Sequence, residues 1–300
     1  MIIALTGATG FIGRYIAMHL ADQGHRLRLW HRPQSDRWPW EHPGPEPEWI
    51  EGDLGNPLSC TALVDGCEAV VHAALYRPDG GFRGREGDLE EFLRCNFTGT
   101  IRLIEEARRG GAKRFIFIST CAVHEEILKD RPLDESHPLW PTSHYGAYKA
   151  AVEKFVHSYG LGQDYSICAL RPTGVYGATR PIEGSKWFDL VATVARGEPV
   201  VCQRGGKEVH AADVAKAVGI LLTADGIAGQ SFNCYDRYVS EFDVATLAKR
   251  LGGSSSQISG GPKQPKHQIE TGKIRALGME FGGDTLLERT IGQMLSAARR

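Results

Sequence analysis

In the first half of the chain, short apolar runs alternate with stretches of helical spacing. Ile2–Thr6 is a continuous apolar run of the buried-strand type. Residues 11–23 follow, with Phe11, Ile12, Ile16 and Leu20 recurring at the spacing of a helix packed on one side. Residues 26–30 alternate, with Leu27 and Leu29 on one face. Further strand-like runs lie at 69–74, 115–119 and 166–170, and helices are predicted around 90–109 and 144–159. Strands that alternate with helices in this way predict an α/β protein built on a doubly wound parallel sheet.

Two stretches break the pattern. Residues 32–49 hold five Pro and three Trp, too many prolines for a helix or a central strand. Residues 77–87 place Gly80, Gly81, Gly84 and Gly87 among charges, which predicts a mobile loop that closes over a ligand or merely connects. Beyond about residue 175 the pattern is less regular. Residues 252–265 read as a surface loop and 285–298 as a terminal amphipathic helix.

Composition narrows the classes of function. The 300 residues are 42% hydrophobic and 24% charged, ordinary values for a globular protein. A formal net charge of −1 gives no electrostatic case for a nucleic-acid or membrane partner. The 7 cysteines are odd in number and scattered, without a C-x-x-C pair or zinc-like spacing, so they read as reduced thiols and no metal site is predicted. The N-terminus lacks the basic region of a signal peptide and no apolar run is long enough to span a bilayer, so the expected compartment is the cytoplasm.

The first chemical signal is Thr6-Gly7-Ala8-Thr9-Gly10-Phe11-Ile12-Gly13, set between the first strand and the first helix. Gly7, Gly10 and Gly13 suit a tight turn that lets the backbone approach a pyrophosphate at a helix N-terminus. The second is Tyr145 and Lys149, four residues apart and so on one face of a helix. A free Tyr has a pKa of about 10. A neighbouring ammonium favours its phenolate and so tunes it for proton transfer near neutral pH. Tyr148 is a second Tyr in this stretch, but it adjoins Lys149 and so projects from another face.

With these motifs the chain resembles the extended short-chain dehydrogenases/reductases, a family of epimerase/dehydratase type, along nearly its whole length. The G-x-x-G-x-x-G spacing is that family's. Asp53-Leu54 resembles its acidic residue at the adenine, Val70-Val71-His72-Ala73-Ala74 its strand end beneath the cofactor, and Asn96-Phe97-Thr98-Gly99-Thr100 its N-x-x-G-T helix motif. Leu170-Arg171-Pro172-Thr173-Gly174-Val175-Tyr176-Gly177 resembles its L-R-P-x-x-V-Y-G, whose backbone flanks the nicotinamide. Residues 207–214 resemble the segment that leads back to the nucleotide domain, and Glu270 to Lys273 with Leu277-Gly278 resemble the C-terminal stretch of sugar-nucleotide members. The resemblance implies a Rossmann-type domain over 1–174, with 200–225 returning to it, and a discontinuous, smaller substrate domain over most of 175–300. It also implies a homodimer formed through the helices that carry 96–109 and 145–159.

The cofactor set implied is Gly7, Thr9, Gly10, Phe11, Ile12, Gly13, Arg14, His31, Arg32, Asp53, Leu54, Ala73, Ala74, Asn96, Tyr145, Lys149, Pro172 and Val175. The second strand ends Leu29-Trp30-His31-Arg32 with no carboxylate to meet a ribose 2′-OH, and Arg14 can reach the same corner, which favours NADP over NAD. The catalytic set implied is Thr120, Tyr145 and Lys149, with Ser119 the alternative to Thr120. The family's V-Y-G is Val123-His124-Glu125 here, a departure at the expected substrate wall.

Two further departures bear on the reaction. Sugar-nucleotide dehydratases of the family carry Asp-Glu after the active-site Thr. Cys121 and Ala122 stand there instead and cannot serve as that acid and base. Gly174 occupies the place where the epimerases usually have Asn. Both favour an NADP-linked oxidoreductase acting on a small-molecule carbonyl or alcohol. The alternatives are a nucleotide-sugar epimerase, with Lys186, Arg204 and Arg275 as candidate diphosphate ligands, and a non-catalytic NADP-binding redox sensor. His72, His144 and His210 read as structural groups, Cys121 as a packed thiol beside the site, and Trp187 as a pocket or core residue.

Overall fold

The computed structural model describes residues 1–35, 37–78 and 86–299. Residues 79–85, the centre of the glycine-rich stretch read above as a loop that closes over a ligand or merely connects, lie outside them. The chain divides into two compact units: Met1–Pro172, Val214–Cys234 and Ile269–Met279 form the first, and Thr173–Asp213, Tyr235–Gln268 and Glu280–Arg300 the second.

In the first unit the elements follow the order β1 (Ile2–Thr6), α1 (Phe11–Asp22), β2 (Arg26–His31), β3 (Glu48–Glu51), α2 (Pro57–Val64), β4 (Ala69–His72) and α3 (Leu89–Leu93). A π-helical turn, Arg94–Thr98, runs on into α4 (Gly99–Arg109), then β5 (Arg114–Ile118), α5 (His144–Gln163) and β6 (Ser166–Pro172). Among the described residues they form a seven-stranded sheet. All its pairings are parallel. From β3 the order is β3-β2-β1-β4-β5-β6, and a strand from the chain's return closes the far edge. This is the Rossmann order, with its reversal between β1 and β4. Strands buried on both faces read as near-continuous apolar runs, which is why β1, β4 and β5 were legible.

The sequence reading missed β3, a four-residue edge strand with glutamate at both ends, and α2, whose Pro start and short length hide its helical period. The helix expected over 90–109 is interrupted by a π turn. There the Thr100 hydroxyl bonds to the Asn96 carbonyl at 2.5 Å, and the regular ladder gives way to i→i+5 bonding. On one face of the sheet, Leu63, Phe92, Leu103, Phe115, Phe117, Tyr148 and Val152 join a single core.

The second unit contains β7 (Gly174–Tyr176), α6 (Phe188–Ala195), β8 (Val200–Cys202), β9 (Gly205–His210) and the start of α7 (Ala211–Leu221). The chain then re-enters the first unit through α7 and β10 (Gln230–Cys234), the strand that completes the seven. It leaves through β11 (Arg237–Ser240), α8 (Glu241–Gly252) and β12 (Ile258–Gly260). It returns once more with α9 (Gly272–Ala276) and ends on α10 (Gly283–Ala298) in the second unit. The re-entry expected over 200–225 therefore begins later, at Val214, and has a further part at 269–279. The chain beyond residue 175 is regular, and 252–265 carries the strand β12. Within the second unit β9 pairs antiparallel with β11 and parallel with β7, while α6, α8 and α10 enclose an apolar core around Val191, Val244, Ile291 and Met294. None of the described helices is long and apolar enough to cross a membrane.

Candidate active site

The glycine-rich turn joins β1 to α1. Gly7 adopts φ +73°, and a Cβ there would lie 2.7 Å from the Ala73 backbone. A Cβ on Gly13 would lie 2.0 Å from the Gly7 carbonyl oxygen, so the helix closes on the turn only because both positions are bare. Gly10 caps α1 without a side-chain acceptor, and the first turn has no acidic residue. The helix therefore presents backbone N–H donors and the positive end of its dipole without an internal anion.

Beneath the turn, Thr6 Oγ1 accepts from the backbone N–H of Ala73 and Ala74, both at 3.1 Å, and lies 2.6 Å from His72 Nδ1. Having accepted twice, Thr6 donates its own proton to Nδ1. The opposite nitrogen of His72, Nε2, is 2.8 Å from Thr100 Oγ1, which donates on to Asn96 O. His72 is thus the Nε2–H tautomer. Burial lowers its pKa to about 3, with Lys149 adding in the same direction. The Asn96 side chain in the π turn accepts from Tyr76 N at 2.7 Å and donates to Tyr76 O at 2.9 Å. This chain fixes the segment after β4, where Ala73 and Ala74 are half-buried. Asn96 acts here as a brace of that segment.

A folded-state pKa below the unfolded 6.5 means that between pH 6.5 and 3 the unfolded chain binds a proton at His72 that the folded chain excludes. Stability from this group is full above pH 6.5 and is lost as pH falls, on the order of 1 kcal/mol per pH unit. His124 shifts the same way, to about 4. Urea unfolding at pH 7.5 and pH 5.0 should register the loss, and His72→Gln should reduce it by the His72 share, leaving that of His124 and of His210, which burial also lowers to about 4. Equal stability of the wild type at the two values would refute the assignment.

The candidate reactive groups Thr120, Tyr145 and Lys149 stand just after β5 and on the first turns of α5. Ser143 caps α5, accepting from Gly146 N at 3.1 Å, and the Glu125 carboxylate accepts from the backbone of Thr142 and Ser143 at 2.6 and 2.9 Å. A Cβ on Gly146 would meet Ala122 O at 2.7 Å, so α5 begins in close contact with the short turn Cys121–Val123 that follows Thr120. This approach brings Tyr145 to the end of β5. Four residues on, Lys149 is buried, donates from Nζ to Ile118 O at 2.6 Å and stands 4.5 Å above the Phe117 ring. Burial lowers its pKa to about 7, against an opposing pull from Glu153.

Thr120 is half-buried and caps the following turn, accepting from Ala122 N at 3.1 Å. Ser119 is fully engaged elsewhere: its hydroxyl donates to Glu153 Oε1. The structure thus separates the two candidates and leaves Thr120 as the hydroxyl at the strand end. Tyr148 points into the core against Phe92.

Behind these groups lies a buried ion pair that sequence reasoning missed. Arg171 bonds to Glu153 from Nε and Nη2, the latter at 2.5 Å, and Ser231 Oγ donates to the same carboxylate at 3.1 Å. Burial works to raise the Glu153 carboxyl, but Arg171 and the two serines outweigh it and hold it below the usual range. Arg171 Nη1 also donates to His124 Nε2 at 3.2 Å. His124 is therefore a buried partner of Arg171. Glu86 was missed as well: it is buried and accepts from Tyr145 N at 3.2 Å. Both contacts join residues remote in sequence, so no local spacing signals them.

The remaining predicted positions are spread more widely. Thr9, Phe11, Ile12 and Arg14 are half-buried on the turn and the first turn of α1. His31 ends β2 and Arg32 is exposed after it. Asp53 accepts from Gly55 N and Asn56 N at 2.7 and 3.1 Å, which shapes the turn into α2, and the Leu54 side chain is core. Pro172 ends β6, and Val175 lies on β7 of the second unit. His144 is exposed, whereas His210 is buried beside Thr290. Cys121 is half-buried and donates to Arg171 O. Trp187 caps α6 with φ +72° and packs on the second core.

A Rossmann sheet, a glycine turn at an uncapped helix and a Tyr/Lys pair at the end of the fifth strand define a dinucleotide-binding α/β protein. The chain belongs to the NAD dependent epimerase/dehydratase family, whose model matches residues 3–234. It is 35% identical over 176 residues to a ceramide reductase of Caulobacter vibrioides, covering 59% of this chain and 47% of that one. It is 28% identical over 283 residues to a 4-hydroxy-2-methyl-3-oxo-4-farnesyl-3,4-dihydroquinoline-1-oxide ketoreductase of Stigmatella aurantiaca, covering 83% and 79%. The chain spans about half the length of the first curated relatives it matches, 47% and 51%. Its fold is that of a UDP-glucose 4-epimerase from Thermotoga maritima, with a TM-score of 0.79, 21% identity and coverage of 100% and 99%.

Proposed function

We propose that the protein is an NADP-dependent oxidoreductase acting on a small-molecule carbonyl or alcohol, with Tyr145 as its acid/base. The observation that carries this reading is the buried Lys149 side chain, anchored on Ile118 O and one helical turn from Tyr145. In its protonated form this side chain favours the phenolate of Tyr145 and leaves further N–H donors for a ligand, and burial, which lowers its pKa to about 7, brings the amine into range for proton exchange near neutral pH. The uncapped N-terminus of α1 and the bare glycine turn suit a pyrophosphate. A nicotinamide dinucleotide bound there supplies the hydride chemistry. For carbonyl reduction, Tyr145 gives its proton to the substrate oxygen, Thr120 orients that oxygen, and Lys149 stabilises the phenolate left behind.

Several features favour this reading over elimination or epimerisation. Cys121 and Ala122 provide no acid/base pair for loss of water. In the second unit the Glu208 carboxylate lies against Gly174, where a Cβ would be 2.7 Å from Oε2. Lys186, a candidate for a sugar-nucleotide diphosphate, donates to Glu208 at 2.5 Å. Two of the relatives named above are described as reductases. The test is nicotinamide absorbance with NADPH and a carbonyl panel, beside nucleotide sugars with the oxidised cofactor. Net NADPH consumption supports the reductase. Isomerised sugar without net change replaces it with the epimerase, and cofactor binding without either reaction replaces it with the sensor.

The NADP preference rests on Arg32, exposed at the end of β2. Glu51, at the end of the neighbouring strand β3, is the register partner of His31. A charge-assisted bond to a 2′-phosphate is worth about 1.5–3 kcal/mol. Arg32→Glu should therefore lower the NADP-to-NAD ratio of kcat/KM by about tenfold to a hundredfold. An unchanged ratio would remove Arg32 from the site.

A further inference from the structure

The proline- and tryptophan-rich segment between β2 and β3 is neither strand nor helix over most of its length, yet it is pinned to α1 at both ends of that helix. Trp38 donates from Nε1 to Ala8 O at 3.0 Å, within the glycine-rich turn. His42 Nε2 lies 3.1 Å from Asp22 Oδ1, at the last residue of α1. Pro39 lies between these points and Pro33, Pro43, Pro45 and Pro47 flank them, which limits the freedom of the segment and makes it a strap along the helix.

The aromatic rings of the strap gather at one corner. Trp38 lies 5.3 Å from Trp40 at 30° and 6.0 Å from Trp49 edge-on, and Trp49 lies 6.0 Å from His31. Trp38 therefore bridges the turn after β1 and the end of β2. These are the two places where a Rossmann sheet meets the pyrophosphate and the adenosine ribose of a dinucleotide. Despite its aromatic neighbours the Trp38 side chain remains half-exposed, and its indole N–H is held by a backbone carbonyl. A flat apolar face fixed by a polar edge, with Arg37 next to it in sequence and Arg32 exposed at the end of β2, has the chemistry of a nucleobase platform next to a phosphate.

We infer that Trp38 is a binding residue for the adenosine half of the dinucleotide, held in place by the strap. This rests on the nicotinamide-dinucleotide reading above and adds to it a residue outside the glycine turn and the Tyr145 helix.

The experiment uses the full chain and three probes: NADPH, adenosine 2′,5′-bisphosphate for one half of the cofactor, and nicotinamide mononucleotide for the other. Trp38→Ala should weaken the adenosine bisphosphate about tenfold, the size of a lost base–aromatic stack. Nicotinamide mononucleotide should bind as in the wild type, which also establishes that the site is folded. Trp38→Phe keeps a flat face without the N–H and should retain most of the affinity. The adenosine probe should quench tryptophan emission of the wild type and of Trp140→Phe, a variant remote from the strap in sequence, but not that of Trp38→Phe. A wild-type chain that binds none of the three probes overturns the dinucleotide reading itself. A wild type that binds them, with Trp38→Ala binding the adenosine probe equally or more tightly and Trp38→Phe still quenched, overturns the role of Trp38 alone.

Discussion

Tyr145→Phe is expected to lower kcat by about a hundredfold to ten-thousandfold while cofactor affinity stays within about twofold of the wild type. The substitution removes one hydroxyl and keeps the ring, whose centroid lies 6.4 Å from that of Tyr148. It also keeps the backbone N–H that donates to Glu86. Lys149 retains its bond to Ile118 O, and Thr120 its cap on Ala122 N. The proposed proton donor is lost while these contacts remain, so the deficit is expected in kcat rather than in binding. NADPH oxidation on a substrate of the wild type measures the first quantity, and quenching of protein emission by NADPH the second. Turnover within tenfold of the wild type would mean that the proton comes from another group, and the catalytic role of Tyr145 would fall with it.

Arg171→Met is expected to cost about 3–5 kcal/mol of stability, the usual penalty for leaving one member of a buried ion pair without its partner. Side-chain exposures of Arg171 and Glu153 are 1% and 0%, so water cannot replace the guanidinium. Ser119 and Ser231 would remain as donors, and two neutral hydroxyls do not compensate a buried carboxylate. Adding Glu153→Gln should recover much of the loss, because an amide needs no counter-charge. Urea unfolding of the single and double variants separates the cases. A single variant that loses less than about 1 kcal/mol would mean that the carboxylate finds other compensation. The pair also bears on the site, since Glu153 is where the Ser119 hydroxyl is held.

What could be read from the sequence was what depends on short spacing. A glycine turn between a strand and a helix, Tyr145 four residues from Lys149, and apolar runs that alternate with helical stretches are local patterns. The backbone's few allowed conformations turn such patterns directly into structure. The same reasoning predicted a parallel sheet from the alternation of strands with helices, and its pairings are parallel. It failed at β3, a short polar edge, and beyond residue 175, where strands of three to six residues carry too little period to recognise.

Tertiary structure decided what lies between distant residues. Ser119 and Thr120 are adjacent hydroxyls of one strand end, and only the position of Glu153, 34 residues on, assigns Ser119 to the core. His124 departs from the family pattern in sequence, and only the fold shows that Arg171, 47 residues on, meets its ring. Asn96 matches a cofactor motif, yet its amide braces the backbone of Tyr76. The strap reads as an irregular linker until Trp38 finds Ala8. In each case the side chain's role is set by whichever polar partner relieves its burial, and that partner is chosen by packing across the sheet rather than along the chain.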